Sequence, residues 1–181
     1  MHGVVSLLDE RHYELVASIW REMRAELGLQ GVYVTPFPHF SYQVAEHYEM
    51  AAVAEVLADF AHQTPPFAVQ TTGLGIFTGG LLPVVYVNVV RDPHLTELHQ
   101  MLWSRLAPVS TGILAYYHPQ VWVPHITLGH GDITRENLPD VVRLLQAHQF
   151  AWRVPVDNVA LLYDEAESRQ DQLTYRFDLT G

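Results

Sequence analysis

The chain has 181 residues, 49% of them apolar and 17% charged, a balance typical of one globular domain with a substantial core. It contains neither cysteine nor lysine, which excludes disulfides, thiolate metal sites and cysteine nucleophiles, and also P-loop, Schiff-base and lysine–adenylate chemistry. The formal net charge of −10 gives no general attraction for long polyanions, so a small or terminal phosphate is the anion to expect as a ligand.

The lengths of the apolar runs in the sequence indicate the cellular location of the protein. The N-terminal residues turn acidic by Asp9 without a long apolar run, so no secretory signal is predicted. The longest apolar stretch, 81–90, is shorter than the ~20 residues that a membrane helix needs, and it contains Pro83 and Asn88. These features predict a cytoplasmic protein without a membrane partner.

The first part of the chain predicts three strands and two helices. A short apolar strand at 3–8 ends at Asp9, a favourable N-cap, and the amphipathic helix that follows ends at Gly28. The other predicted elements here are strands near 32–44 and 67–78 and a helix at 46–62.

The rest of the chain predicts the same order again. After a strand at 84–91, Asp92 and Pro93 occupy the two positions that best start a helix. A later helix at 134–148 begins at the favourable N-cap Thr134. The other predicted elements are strands near 121–129 and 151–164, a last strand within 173–179, and a solvated turn at the acidic run Asp164, Glu165 and Glu167.

Residues of the two parts also correspond at a constant offset of 83. The matches are Glu14-Leu15 with Glu97-Leu98, Trp20 with Trp103, and Phe67-Ala68 with Phe150-Ala151. Matching identities and matching element order together predict an internal duplication. We expect one domain, 1–181, made of β-α-β-α-β halves 1–80 and 81–181 that join at the Pro/Gly-rich segment 78–83.

Four His-x-Ser/Thr tripeptides occur in the sequence, and two of them differ from the others in context. Those at His62 and His94 fall on predicted helices, where residues two apart point about 200° away from each other. Residues 39–41 (HFS) and 125–127 (HIT) fall on predicted strands, where residues two apart share a face. Each follows a proline, and they stand 86 residues apart, close to the offset of the repeat. These two tripeptides are therefore the candidate site.

With HFSY at 39–42 and HITL at 125–128, the chain resembles the two-histidine (2H) phosphoesterase superfamily. That group contains the bacterial RNA 2′,3′-cyclic phosphodiesterases, also called 2′-5′ RNA ligases, and its hallmark is one His-x-Thr/Ser-x motif in each half of a duplicated domain. The resemblance covers nearly the whole chain in length, element order and motif placement. It implies an α+β, internally duplicated, two-lobed fold whose largely antiparallel sheets line a central cleft that holds both motifs.

Two imidazoles suit the cleavage of a phosphodiester without a metal or any other cofactor. An ordinary pKa of about 6.5 lets one imidazole act as a neutral base and the other as a protonated acid near pH 7. The resemblance gives these catalytic roles to His39 and His125, with Ser41 and Thr127 as donors to the phosphate oxygens. It implies hydrolysis of 2′,3′-cyclic or 2′-5′-linked phosphodiesters at a nucleotide or oligonucleotide end, and ATP-independent joining of ends in reverse.

Other residues are candidates for substrate binding. Tyr42 and Trp122, like Tyr116 and Tyr117, carry rings that can stack on a nucleobase, although aromatic residues on strands more often belong to the core. His130 stands in the run HITLGH, where many relatives have an arginine in a run like HITLAR. This departure changes the phosphate contact expected at that position, and with it the substrate.

Two other classes of function fit the same sequence. One is a non-catalytic nucleotide-binding module of the same fold, and the other is a structural or interaction domain in which the His–Ser/Thr pairs are incidental. A metal site is not expected, because no H-E-x-x-H motif occurs and the spacing of His118, His125 and His130 fits no standard zinc pattern.

Overall fold

The structure, a computed structural model, describes residues 1–163 and 173–181 as four α-helices packed on one sheet of nine strands. The helices are α1 (Glu10–Leu27), α2 (Met50–Gln63), α3 (Pro93–Leu106) and α4 (Leu138–Leu145). The strands are β1 (His2–Leu7), β2 (His39–Tyr48), β3 (Phe67–Phe77), β4 (Val84–Val89), β5 (Ser110–Ile113), β6 (His125–Gly129), β7 (Arg153–Val156), β8 (Asn158–Tyr163) and β9 (Leu173–Asp178). The acidic run predicted to form a solvated turn lies outside the described residues.

The sheet places the two motif-bearing strands side by side at its centre. Its order is β7-β3-β4-β6-β2-β1-β8-β9, with β5 on β2, and every pairing is antiparallel. Strand β3, from the first predicted half, pairs with β4 and β7 of the second. Strand β8, from the second half, pairs with β1 of the first. Each half therefore supplies a strand to the sheet of the other.

Helix α1 packs on the central strands through a buried apolar stripe. Buried residues recur at the spacing of one helix face: Val16, Ile19, Trp20 and Met23. The Trp20 indole N–H also donates to the carbonyl of Thr127, 3.3 Å away, and so joins the helix to the second motif. The helix ends at Gly28, whose φ of 72° is a left-handed conformation that favours glycine.

The predicted α+β class and the antiparallel architecture are confirmed. Asp9 and Asp92 occupy the predicted N-cap positions of α1 and α3. The Asp92 carboxylate accepts the Leu95 N–H at 2.8 Å, whereas the Asp9 carboxylate makes no capping hydrogen bond and contacts the His12 ring instead. The exact division into halves at residues 80 and 81 stays a prediction. None of the helices in the described parts of the chain is long and apolar enough to cross a membrane.

Both predicted ends of the strand at 32–44 are wrong. Residues 31–34 form a 3-10 helix instead, and β2 begins only at His39. Proline has no N–H to give to a sheet, and Pro36 and Pro38 keep the segment before His39 out of the ladder. The strand then runs on to Tyr48, so that α2 begins at Met50 rather than at residue 46.

Boundaries in the second half also differ from the prediction. Strand β6 begins at His125 rather than 121, because the N–H groups of Val121 and Trp122 both close a turn on the His118 carbonyl. Helix α4 begins at Leu138, after a turn in which the Thr134 hydroxyl accepts the N–H of Asn137 at 3.3 Å. The strand predicted at 151–164 is two strands, β7 and β8, which pair with different partners, and β5 was not predicted.

Candidate active site

The two motifs meet where β2 pairs with β6. Phe40 stands directly opposite Ile126, and both side chains are buried in the core. Alternation along a strand turns the residues on either side of Phe40 and Ile126 to the opposite face of the sheet. His39 therefore lies across from Thr127, and Ser41 across from His125, in one patch of four side chains.

This register sets the separation of the two imidazoles. In an antiparallel pair, directly opposite residues have Cβ atoms about 4.5–5.5 Å apart, and diagonal neighbours lie about 7–8 Å apart. His39 and His125 are diagonal neighbours, and each has the hydroxyl of the other motif directly opposite. A phosphate can thus lie between two imidazoles and two hydroxyls that all project from one face.

Both histidines are held in the same tautomer by the same contact. The Nδ1–H of His39 donates to the Phe37 carbonyl at 2.5 Å, and the Nδ1–H of His125 donates to the Val123 carbonyl at 2.8 Å. A carbonyl only accepts, so the proton of each neutral ring is on Nδ1 and the lone pair is on Nε2. In each case a proline separates the histidine from the carbonyl. Nε2 is thus the nitrogen that each ring offers for proton transfer.

The prolines also fix the position of each histidine. The Pro38 carbonyl accepts the N–H of Leu8 at 3.0 Å, and the Pro124 carbonyl accepts the N–H of Val89 at 3.1 Å. Each proline is thereby anchored to the strand next to its own, β1 or β4. The repeated proline of the sequence is part of the support that orients the two rings.

Burial lowers the pKa of both imidazoles. The pKa of His39 falls from 6.5 to about 4, mainly because burial disfavours the charged ring; the Phe37 carbonyl opposes this, and the charges of His125 and His130 add to it. The pKa of His125 is also lowered by burial, against the opposing effect of the Val123 carbonyl. Burial therefore favours the neutral form of both rings in the free protein.

Aromatic side chains supply much of the burial of His125. Its ring centroid lies 5.0 Å from that of Phe77 and 5.1 Å from that of Tyr86, which stack on each other at 4.2 Å. Gly75 stands opposite Tyr86 in the β3–β4 ladder, and an added Cβ there would be 2.3 Å from the Tyr86 ring. The glycine leaves the space that the Tyr86 ring occupies next to His125.

The structure brings a third histidine, His130, to the same site. It lines a small cavity of about 120 Å³ together with His39 and Thr127. The carboxylate of Asp132 accepts the backbone N–H groups of Gln30 and Gly31, at 2.5 and 2.7 Å, which binds the turn after β6 to the loop before β2. Burial lowers the pKa of His130, and the charge of Asp132 opposes that effect. An imidazole therefore stands beside the proposed phosphate position.

Thr35 was not a candidate in the sequence, and Tyr117, considered there only as a ring for base stacking, contributes a hydroxyl to the site. Thr35 lines the small cavities on both sides of His39. Tyr117 lines the cavity that holds His39 and Ser41; burial raises the pKa of its phenol, and a hydrogen bond with Ser41 lowers it. Thr35 precedes Pro36 in an irregular segment and Tyr117 is in a 3-10 turn, so no periodicity in the sequence places either residue at the site.

Two of the four aromatic candidates for substrate binding, Tyr42 and Trp122, are buried. Tyr42 is on the core face of β2 with Phe40, and its hydroxyl bonds to Ser6 at 2.9 Å. Trp122 borders a cavity, but it is only 2% exposed, its Nε1–H donates to the Ser41 carbonyl at 2.9 Å, and its ring stacks on His99 at 3.7 Å. Burial leaves neither ring exposed to a ligand, and a role for Tyr42 or Trp122 in substrate binding stays a prediction. Tyr116 and Tyr117 line the cavity beside His125.

The other His-x-Thr tripeptides lie where the helix argument placed them. His62 is in the last turn of α2 and His94 is in the first turn of α3, and both are exposed. Within residues 1–163 and 173–181, no three histidine or carboxylate side chains are grouped closely enough to hold a metal ion. Of the four tripeptides, only those at 39 and 125 come together.

The fold is α+β, and two adjacent central strands of its antiparallel sheet each carry a His-x-Ser/Thr motif. This is the arrangement expected of a two-histidine phosphoesterase. The sequence profile of the 2′-5′ RNA ligase superfamily matches residues 12–167, which include both motifs. The chain belongs to this superfamily, and the resemblance drawn from its motifs is confirmed.

Two solved structures have a similar fold. The crystal structure of TT0787 of Thermus thermophilus matches with a TM-score of 0.65 and 16% identity over 99% of this chain and 98% of that one. The crystal structure of a phosphoesterase matches with a TM-score of 0.59 and 17% identity over 99% and 98%. At such identities the likeness concerns the fold alone. A comparison with curated proteins found no match.

Proposed function

We propose that the protein is a metal-independent phosphodiesterase that hydrolyses 2′,3′-cyclic or 2′-5′-linked nucleotide phosphodiesters. His39 and His125 act as base and acid, and Ser41 and Thr127 donate to the non-bridging oxygens. The observation that carries the proposal is the matched pair of imidazoles on β2 and β6, each with Nδ1 bound to a carbonyl and Nε2 free for proton transfer. Run backwards with a ribose hydroxyl as nucleophile, the same site would join ends without ATP.

The cavities on the two sides of the pair favour one assignment of roles. His39 borders two small cavities of about 130 and 120 Å³, whereas His125 borders one of about 700 Å³. In a 2′,3′-cyclic phosphate the leaving oxygen belongs to the ribose, so the nucleoside lies on the leaving side. The larger cavity therefore suits the leaving side, and the smaller ones suit water. His39 is therefore the base and His125 the acid.

The reaction then balances as a direct displacement. Water attacks phosphorus while Nε2 of His39 takes its proton, and a new P–O bond forms. The bond to the departing ribose oxygen breaks on the opposite side. The His125 imidazolium, whose charge the bound phosphate anion favours, gives its Nε2 proton to that oxygen and becomes neutral. The hydroxyls of Ser41 and Thr127 stabilise the charge that builds on the non-bridging oxygens.

Hydrolysis of a 2′,3′-cyclic mononucleotide in the presence of EDTA tests the proposal directly. We expect turnover that EDTA does not reduce, because the imidazoles supply both proton transfers. The product is followed by chromatography, with heat-inactivated protein as the control. Activity that requires an added divalent ion contradicts the proposed mechanism, and binding of the nucleotide without turnover indicates the nucleotide-binding module instead.

Removing one hydroxyl should have a smaller effect than removing an imidazole. Thr127→Val keeps the shape of the side chain but removes a donor, and we expect kcat/KM to fall on the order of 10–10³-fold. Thr111→Val is the matched control, because Thr111 is exposed on β5 away from the motifs. Steady-state kinetics of both variants make the comparison, and equal activities would exclude Thr127 as a phosphate ligand.

The lowered pKa values predict an acidic optimum for kcat/KM. The base works when neutral, so activity should rise with pH through the pKa of His39, about 4. The acid works when protonated, so activity should fall as pH rises through the pKa of His125, which burial holds below 6.5. A bound phosphate anion favours charged imidazoles, so the alkaline limb of kcat should lie at higher pH than that of kcat/KM. A profile that is flat from pH 4 to about 9 would contradict the acid–base pair.

A further inference from the structure

The cavity beside His125 differs in character from the rest of the site. It has a volume of about 700 Å³ and lies between the tip of the β3–β4 hairpin and the loop 116–123. Much of its lining is apolar: Ile76, Phe77, Leu82, Val84, Val121 and Val123. Four of these side chains remain substantially exposed, with Ile76 at 39%, Leu82 at 40%, Val121 at 59% and Val123 at 38%. A contiguous exposed apolar surface next to a reactive group is typical of a ligand-binding site.

The shortage of ionisable side chains around this cavity restricts the ligands that it can bind. Among the described residues that line it there is no arginine, aspartate or glutamate, and His125 is its single imidazole. The polar groups that remain are the hydroxyls of Thr78, Tyr116 and Tyr117 and the backbone around Gly79 and Gly80. A second phosphate placed here would meet no cation, in a protein of net charge −10.

We infer that this cavity binds an uncharged, largely apolar group carried on the leaving side of the ester, and that the preferred substrate is a small diester with a single negative charge. The inference rests on the proposed function, since His125 is taken as the acid on that side. A lone nucleoside or another aromatic alcohol fits the cavity in size and polarity. An RNA end that continues into further nucleotides fits poorly, because each additional phosphate adds a negative charge.

Among the described residues, the space beside His39 is much smaller, which supports the inference. The described cavities on that side amount to about 130 and 120 Å³, large enough for water and phosphate oxygens but not for a nucleoside. The two imidazoles are thus related in position but not in surroundings. The apolar cavity gives the site a direction, with the organic group at His125 and water at His39.

Three substrates with the same five-membered cyclic phosphate test the inference. A 2′,3′-cyclic mononucleotide has a base, glycerol 1,2-cyclic phosphate has none, and a dinucleotide with a terminal 2′,3′-cyclic phosphate has an additional negative charge. We expect kcat/KM for the mononucleotide to exceed that for the glycerol ester by about 10–100-fold, the effect of burying one aromatic group. The value for the dinucleotide should not exceed that for the mononucleotide.

Two neighbouring leucines provide a matched pair of variants. Leu82 lines the cavity, whereas Leu81 is fully exposed and does not line it. Leu82→Asn should lower kcat/KM for the mononucleotide about 5–10-fold and leave the glycerol ester unchanged, because it makes the wall polar without adding charge. Leu81→Asn should change neither value, and the glycerol ester reports on folding in both variants.

The outcomes separate this inference from the proposed function. Equal kcat/KM for mononucleotide and glycerol ester, or faster turnover of the dinucleotide, would overturn the inference while leaving the phosphodiesterase intact. If no substrate is hydrolysed, the proposed function fails, and binding of the phosphate-free nucleoside by calorimetry still tests the cavity. Binding weakened by Leu82→Asn but not by Leu81→Asn supports the apolar site, and binding equal in both variants contradicts it.

Discussion

Replacing His39 with alanine is expected to lower kcat/KM for a 2′,3′-cyclic mononucleotide by about 10²–10⁴-fold, the usual contribution of one proton-transfer group. The Nδ1–H of His39 is engaged by the Phe37 carbonyl, so Nε2 is the atom that takes the proton from water. His130 borders the same cavity, but it is His39 whose Nδ1–H is held by a carbonyl. Substrate binding should change much less than turnover.

His62→Ala is the matched control for this variant. His62 begins the same kind of His-x-Thr tripeptide, but it is exposed at the end of α2. Steady-state kinetics should show a large loss for His39→Ala and none for His62→Ala, with thermal unfolding measured on both to confirm that they fold. Comparable losses in the two variants would mean that His39 has no special role.

Replacing His125 with alanine is expected to cause a loss that depends on the leaving group. For a cyclic nucleotide, kcat/KM should fall by about 10²–10⁴-fold, because the departing ribose oxygen needs a proton. For a p-nitrophenyl diester the fall should be less than about tenfold, since p-nitrophenolate departs without protonation. His39→Ala should be severely impaired on both substrates, because water needs the base in either case.

This comparison distinguishes the acid from the base as well as testing His125. His94→Ala is the control, since His94 begins a His-x-Thr tripeptide in the first turn of α3. If the p-nitrophenyl ester rescues His39→Ala instead, the two roles are reversed. If it rescues neither variant, then neither imidazole acts as the acid.

The paired motifs could be predicted from the sequence because their geometry is local. A spacing of two residues on a strand fixes a common face, and the repeated proline and the offset of the two motifs related His39 to His125 before any contact was known. The same alternation explains the burial of Tyr42, which is two residues from Phe40 and therefore shares its core face.

The parts of the site that could not be predicted depend on long-range contacts. His130 was a candidate in the sequence, but its place beside His39 depends on Asp132, which binds the loop at residues 30 and 31, about a hundred positions earlier in the chain. The large cavity is formed by a hairpin and a loop that are separated in sequence. Such features follow from how the strands pair. The pattern of residues along a single segment does not predict that pairing.

The exchange of β3 and β8 between the two predicted halves means that neither half can form the sheet alone. The segment 78–83 resembles a boundary in the sequence, yet a fragment ending there would lose the partners of β3 and leave β1 without β8. Neither fragment would contain the complete sheet, whereas the two fragments together contain every strand pairing. The protein is therefore suited to splitting at this loop into complementing pieces, with catalysis recovered only upon their association.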